Sequence, residues 1–151
     1  MLKTIFLKLL ESRKCKNINL GTNVHLGYKV HISHPENIFI GDNSYVNGGF
    51  LLASKNAKII IGKDCLLSYN IHIRTSTHSY EKKDVLIRKQ GEIEKSIVIE
   101  DDCWIGFGVQ IMPGVTIKKG SVIGAGAIVT KDTEEYGVYV GIPAKRIKFR
   151  K

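Results

Sequence analysis

Aliphatic residues recur along this chain at every sixth position, a period that fits neither an α-helix nor one alternating strand. The runs are Leu20, Leu26, Ile32, Ile38; then Ile40, Val46, Leu52; then Ile61, Leu67, Ile73; and last the unbroken Ile99, Ile105, Ile111, Ile117, Ile123, Val129. The next residue is often glycine, as at Gly21, Gly27, Gly41, Gly62, Gly106 and Gly124. The fourth residue after the anchor is small or β-branched, as at Ser44, Cys65, Cys103, Val109, Ser121 and Ala127. The unit is therefore aliphatic–Gly–x–x–small–x, a hexapeptide repeat of the kind that builds β-helices. Each unit predicts one short strand and one corner, so three units make an 18-residue coil of a three-sided prism. Anchors and small residues point inward and stack on the next coil about 4.8 Å away. Glycine is expected to ease the corners.

This register assigns anchors to faces. Ile40, Ile61, Ile99 and Ile117 share one face; Val46, Leu67, Ile105 and Ile123 the second; Leu52, Ile73, Ile111 and Val129 the third. Repeats break at 53–60, a short bulge, and at 74–98, a long polar segment. Long segments without repeats tend to be functional. This one is expected to project as a loop from a corner, where it can meet another subunit. Residues 1–18 read as a short amphipathic helix, docked on the body or touching a membrane surface; a secretory signal is disfavoured because no small-residue cleavage site follows. Residues 19–140 form the prism, and 141–151 a basic tail, all within one domain. Val138 and Val140 suggest a strand closing the last coil, whose edge is otherwise open.

Composition narrows the class. The 151 residues are 43% hydrophobic and 25% charged, which excludes wholesale disorder. No apolar stretch is long enough to span a membrane. Lys and Arg total 23 against 14 Asp and Glu, a net +9 that attracts anions. Three cysteines in no Cys-x-x-Cys motif argue against a disulfide scaffold or zinc knot, and a cytoplasmic setting fits. Cys65 and Cys103 occupy inward positions.

Chemistry concentrates around the long interruption. The outward residue before each second-face anchor gives one corner row: Tyr45, Leu66, Trp104, Val122. Asn47 follows Val46 just past it. His78 is the fifth residue after Ile73, at the mouth of the projecting loop. An unperturbed histidine titrates near pH 6.5 and can take a proton from a hydroxyl at neutral pH. By position alone, a solvated loop histidine is the better description. His72, one hexapeptide earlier, is the rival base. His25, His31 and His34 read as surface residues of the early coils.

The stretch Thr75-Ser76-Thr77-His78, the hexapeptide Ile99-Glu100-Asp101-Asp102-Cys103-Trp104-Ile105-Gly106 and the closing Gly141-Ile142-Pro143-Ala144-Lys145 resemble the hexapeptide-repeat acyltransferases, sugar O-acetyltransferase type. The resemblance covers about residues 38–149. It implies an all-β, left-handed parallel β-helix, an exception to the usual right-handed crossover. It implies acetyl-CoA as co-substrate, no metal, and a homotrimer with the CoA groove between adjacent prisms. His78 matches the family's catalytic histidine and Asn47 an asparagine that binds acceptor or intermediate; Tyr45 and Trp104 are further acceptor-side candidates. Phe107, Ala125, Thr130 and Lys131 match positions along the CoA arm, and Lys145 and Lys148, with Arg146, are candidates for its phosphates. The acceptor it implies is a hydroxyl of a sugar or surface polysaccharide, and nothing points to nucleic acid.

Two other readings stay open. A carbonic-anhydrase-like lyase on the same prism uses three zinc-bound histidines, two of them five residues apart; His72 and His78 are six apart. A non-catalytic prism would not require His78.

Overall fold

In a computed structural model the described residues are 16–151. The helix expected over 1–18 lies almost wholly outside them; Lys16 and Asn17 form a turn and Asn19 begins the first strand.

Seventeen short strands follow one another. The early coils hold β1 (Asn19–Leu20), β2 (His25–Ser33), β3 (Ile38–Ile40), β4 (Tyr45–Leu52), β5 (Ile59–Ile61), β6 (Leu66–Leu67) and β7 (Ile71–Arg74). An arm follows with β8 (Ser76–His78) and β9 (Glu92–Glu94). The late coils hold β10 (Ile97–Ile99), β11 (Trp104–Ile105), β12 (Gln110–Ile111), β13 (Thr116–Ile117), β14 (Val122–Ile123) and β15 (Ile128–Val129), closed by β16 (Gly137–Val140) and β17 (Lys145–Phe149).

Strands from successive coils pair in parallel, as a stacked prism requires. Ile40, Ile61, Ile99 and Ile117 are in register on the first face. Val46, Leu67, Ile105 and Ile123 are in register on the second. Ile73, Ile111 and Val129 are in register on the third. These anchors are buried, and the core is one continuous column of them.

Two anchors are displaced from expectation. Leu51, not Leu52, pairs with Ile73 and is fully buried, while Leu52 is half-exposed. The reason lies in β4, which runs unbroken round a corner. Gly49 sits there at φ 124°, and a side chain on it would collide with the Ile71 backbone. The corner is one residue shorter than a regular repeat. Ile38 is likewise not a fourth anchor of the first run. It pairs with Ile59 and lies two residues before Ile40, in the second inward row with Ile97.

The corners also differ in chemistry. Glycine directly after the anchor is there because the coils approach too closely for a side chain: a Cβ at Gly41 would lie 2.7 Å from the Gly62 carbonyl carbon, and one at Gly106 2.7 Å from the Ala125 nitrogen. The left-handed backbone falls two residues later, on Asn23, Asn43, Asp64, Asp102 and Gly120 at one corner and on Asn70, Gly108 and Gly126 at the next. Asn, Asp and Gly tolerate that conformation best. Small polar core residues are satisfied between coils: Ser44 Oγ donates to the Gly62 carbonyl at 2.8 Å and accepts from the Cys65 N–H at 2.9 Å.

The 74–98 interruption is not a structureless loop. β8 and β9 pair antiparallel as an arm, with Ser76 opposite Glu94 and His78 opposite Glu92. Its base is pinned to the prism: the buried Thr75 hydroxyl lies 2.8 Å from that of Ser54, and Glu94 accepts the Asn56 N–H at 2.7 Å. Its tip is braced by Gln90, whose amide donates to the Lys82 and Val85 carbonyls. The tail is not an unpaired segment either. β17 pairs antiparallel with β16, Lys145 opposite Val140, and covers the edge that the last coil would leave open.

Candidate active site

The arm and the third face enclose a cleft of about 360 Å³. His78 stands at the end of β8 with its side chain 71% exposed. Pairing of β8 with β9 sets Glu92 across from it, Oε1 lying 4.0 Å from the His78 Nδ1. His72 and Gln110, register partners on the third face, form the floor, and Arg74, Ser76, Thr77, Met112 and Pro113 are in the wall. No repeat signal marks Glu92 or Arg74; only the antiparallel pairing of the arm brings Glu92 to His78.

His72 lies within strand β7, and His25 and His31 lie within β2. On the outer surface of the third face His31 stacks on Phe50 with ring centres 4.9 Å apart, and Phe50 lies 5.5 Å from the His72 ring. Burial, and secondarily the Arg74 charge, hold the His72 imidazole below its ordinary pKa of 6.5. That sign makes a prediction. Below about pH 6.5 the unfolded chain binds a proton that folded His72 resists, so stability falls as the pH drops from there through the lower folded value. The loss of Tm between about pH 7.5 and 5.5 is expected to be smaller in His72→Gln than in the wild type, measured by thermal melts.

The remaining candidates divide among three places. Asn47, within β4, begins the edge between the second and third faces. Phe107 and Ala125 occupy equivalent turns on that edge one coil apart, tied by the Gly126 N–H donating to the Phe107 carbonyl at 2.7 Å, and both are exposed. Lys145 lies beside this edge through its pairing with Val140, and the Ala144 N–H donates to the Ile128 carbonyl at 2.8 Å. Thr130 and Lys131 lie on the opposite edge of the third face, one coil beyond Met112 and Pro113 of the His78 cleft. Tyr45 and Trp104 are not at a corner. They point outward from the middle of the second face, in register through Leu66, and Lys148 joins their row through Val138. One chain therefore does not bring Asn47 and His78 together; it sets them on the two edges of the third face.

No cysteine lines the cleft, and Ser76 and Thr77 bring hydroxyls to it. Cys65 and Cys103 are fully buried, and the hydrogen bond to Cys65, with burial, pushes the Cys103 thiol up, away from the reactive thiolate. Among the described residues no group of three or more His, Cys, Asp or Glu could hold a metal ion, and no helix is long and apolar enough to cross a membrane.

Comparison with known proteins agrees with this architecture. Residues 96–131 match the family described as bacterial transferase hexapeptide (six repeats). The chain superposes with TM-score 0.83 on the hexapeptide-repeat-containing acetyltransferase VCA0836 of Vibrio cholerae, at 30% identity over 93% of this chain and 79% of that one. A structure of that protein is also known complexed with acetyl coenzyme A. A maltose O-acetyltransferase from Clostridium difficile gives TM-score 0.82 at 29% identity, covering 98% and 84% of the two chains. Galactoside O-acetyltransferase of Escherichia coli is 38% identical over 113 residues, 74% of this chain and 54% of its own length. The chain spans about half the length of the sequence relatives it matches. On the repeats, the stacked coils and these likenesses together, the chain belongs to the hexapeptide-repeat acetyltransferase family.

Proposed function

We propose that this protein is an acetyl-CoA-dependent O-acetyltransferase that acts on a hydroxyl of a sugar or polysaccharide, with His78 as general base. The observation that carries the reading is the exposed His78 imidazole at the mouth of a cleft, with Glu92 on its Nδ1 side. His78 takes the proton of the acceptor hydroxyl. The freed oxygen attacks the thioester carbonyl, a backbone N–H of the groove stabilises the oxyanion, and collapse expels the CoA thiolate, which recovers the proton from the imidazolium. The Glu92 carboxylate, 4.0 Å from Nδ1, supports the ring's transient positive charge. Transfer is direct in this reading; the cysteines lie buried away from the cleft, and a covalent acetyl group on Ser76 or Thr77 would contradict it.

The acetyl-CoA arm runs along the exposed Phe107 and Ala125 turns, with Lys145 near its phosphates and Thr130 and Lys131 contributed from the other edge. A homotrimer supplies both edges at once. Packing three left-handed prisms through their third faces sets the Asn47 edge of one copy against the His78 edge of the next. The exposed His31 and Phe50 rings and the half-buried His72 ring give that face something to bury. The apolar arm tip, with Leu86 and Ile87 exposed, reaches towards the neighbouring copy.

Release of free thiol from acetyl-CoA, measured against a panel of saccharides, tests the reading. Acceptor-dependent release with no covalent acetyl-protein by mass spectrometry is the expected result. No release with any acceptor, together with no acetyl-CoA binding by calorimetry, would overturn it and leave a non-catalytic prism.

A further inference from the structure

Among the described residues Arg74 is the only permanent cation lining the His78 cleft. The fold has no use for its charge. In β7 the side chains alternate: Ile71 and Ile73 point inward and are fully buried, and His72 and Arg74 point out of the third face. The residues at the same place in the repeat one and two coils later are Met112 and Thr130, so stacking does not call for arginine there. Arg74 is exposed, and among the described residues no carboxylate lies within ion-pair distance of its guanidinium. Arg146 and Arg150, by contrast, are held by Glu134 at 3.3 Å and by Asp102 at 2.9 Å, and Arg88 is out on the arm tip.

The mount is firm on both sides. Ile73 before it and Thr75 after it are fully buried. The Thr75 N–H donates to the Leu52 carbonyl at 3.1 Å, and its hydroxyl lies 2.8 Å from that of Ser54. The cleft holds one carboxylate, Glu92, and that is carried by the arm opposite His78. Positive charge therefore sits on the prism wall and negative charge on the arm. An anionic substituent in the cleft is drawn to the first and repelled by the second, which fixes its orientation. At about 360 Å³ the cleft is at the small end of ligand sites. A group on Arg74 and a hydroxyl at His78 then belong to one sugar ring or to two adjoining ones.

We infer that Arg74 selects the acceptor by binding a carboxylate or phosphate on the sugar ring that presents its hydroxyl to His78, or on the ring next to it; the inference rests on the acceptor being a saccharide. The planar guanidinium offers paired N–H donors that match two oxygens of either group. A neutral sugar leaves the cation in water and gains nothing from it. Arg74 thus separates one acceptor from another, and the proton transfer stays with His78.

Calorimetry on the full chain in the presence of CoA reads this without turnover. The probes are the methyl glycosides of galacturonic and glucuronic acid, those of galactose and glucose, and galactose 6-phosphate. At least one acidic sugar is expected to bind about ten-fold more tightly than its neutral counterpart, with the advantage shrinking as salt rises. Whether carboxylate or phosphate gains it identifies the anionic group. Arg74→Gln is expected to remove that ten-fold advantage and leave the neutral sugar unchanged. Arg74→Lys, which keeps the charge and loses the fork, should restore part of it. In transfer assays the loss in Arg74→Gln should fall on KM for the acidic sugar, with kcat nearly unchanged. No advantage for any acidic sugar, or one that survives in Arg74→Gln, would overturn the inference. So would weaker acetyl-CoA binding in Arg74→Gln, which would give the residue to the donor. Dissociation of the assembly in sedimentation would overturn it too, by giving Arg74 to a carboxylate of a neighbouring copy. Arg74-dependent binding without acetyl transfer to any saccharide would leave the inference standing while the proposed activity fell.

Discussion

Replacing His78 with alanine is expected to lower acceptor-dependent thiol release by about 10²–10⁴-fold, the usual loss on removing a general base. The fold is expected to be indifferent. The His78 side chain is mostly exposed, it makes no core contact, and the arm around it is held by backbone pairing and by Thr75, Glu94 and Gln90 rather than by the imidazole. Thermal melts of His78→Ala should therefore overlay those of the wild type. Glu92→Gln removes a charge that is 4.0 Å away and not hydrogen-bonded, so its loss of rate should be smaller. A large rate loss confined to His72→Ala, with His78→Ala fully active, would transfer the role to the rival histidine on the cleft floor.

Leu51→Ala is expected to cost about 3 kcal/mol of stability, and Leu52→Ala well under half of that. Leu51 is fully buried in the third-face stack, directly above Ile73, so truncation opens a cavity in a column that cannot collapse without shifting coils. Leu52 is half-exposed and pairs with Arg74 at the rim. Urea unfolding of the two variants measures the difference. The strict six-residue period assigns the opposite ranking, so equal costs, or a greater cost at Leu52, would return β4 to the regular register.

That slip illustrates where sequence was informative. Fourteen of the sixteen anchors lie at the inward or register-paired positions the period assigns; the other two are Leu52, where the corner at Gly49 changes length, and Ile38, where the second inward row is itself aliphatic. Inward rows leave a periodic trace because burial selects for them in every coil. The corner residues leave a different trace, Asn, Asp or Gly three positions after the anchor, readable in Asn43, Asp64, Asp102 and Gly108 once left-handed backbone is sought there. The arm has no repeat to read. Ser76 and Glu94 are brought together by a hairpin across a 17-residue gap, so His78 could be placed at a mouth but Glu92 could not be placed beside it. The strand over Lys145–Phe149 was hidden for another reason: every residue in it is exposed, and it is held by pairing with β16 rather than by burial. Tyr139, buried in register with Ile123, was overlooked because Val138 and Val140 are the more obvious strand formers.

The separation of Asn47 and His78 on opposite edges of the third face makes the shared site the central claim, and subunit mixing tests it most directly. His78→Ala and Asn47→Ala chains, each weakly active alone, are co-expressed with different tags and the mixed assemblies isolated through both. Each mixed trimer holds one interface where an intact His78 edge meets an intact Asn47 edge, so thiol release should recover to about one third of wild type. Mixed assemblies no more active than their parents would contradict the account, because the two residues would then not be joined across copies.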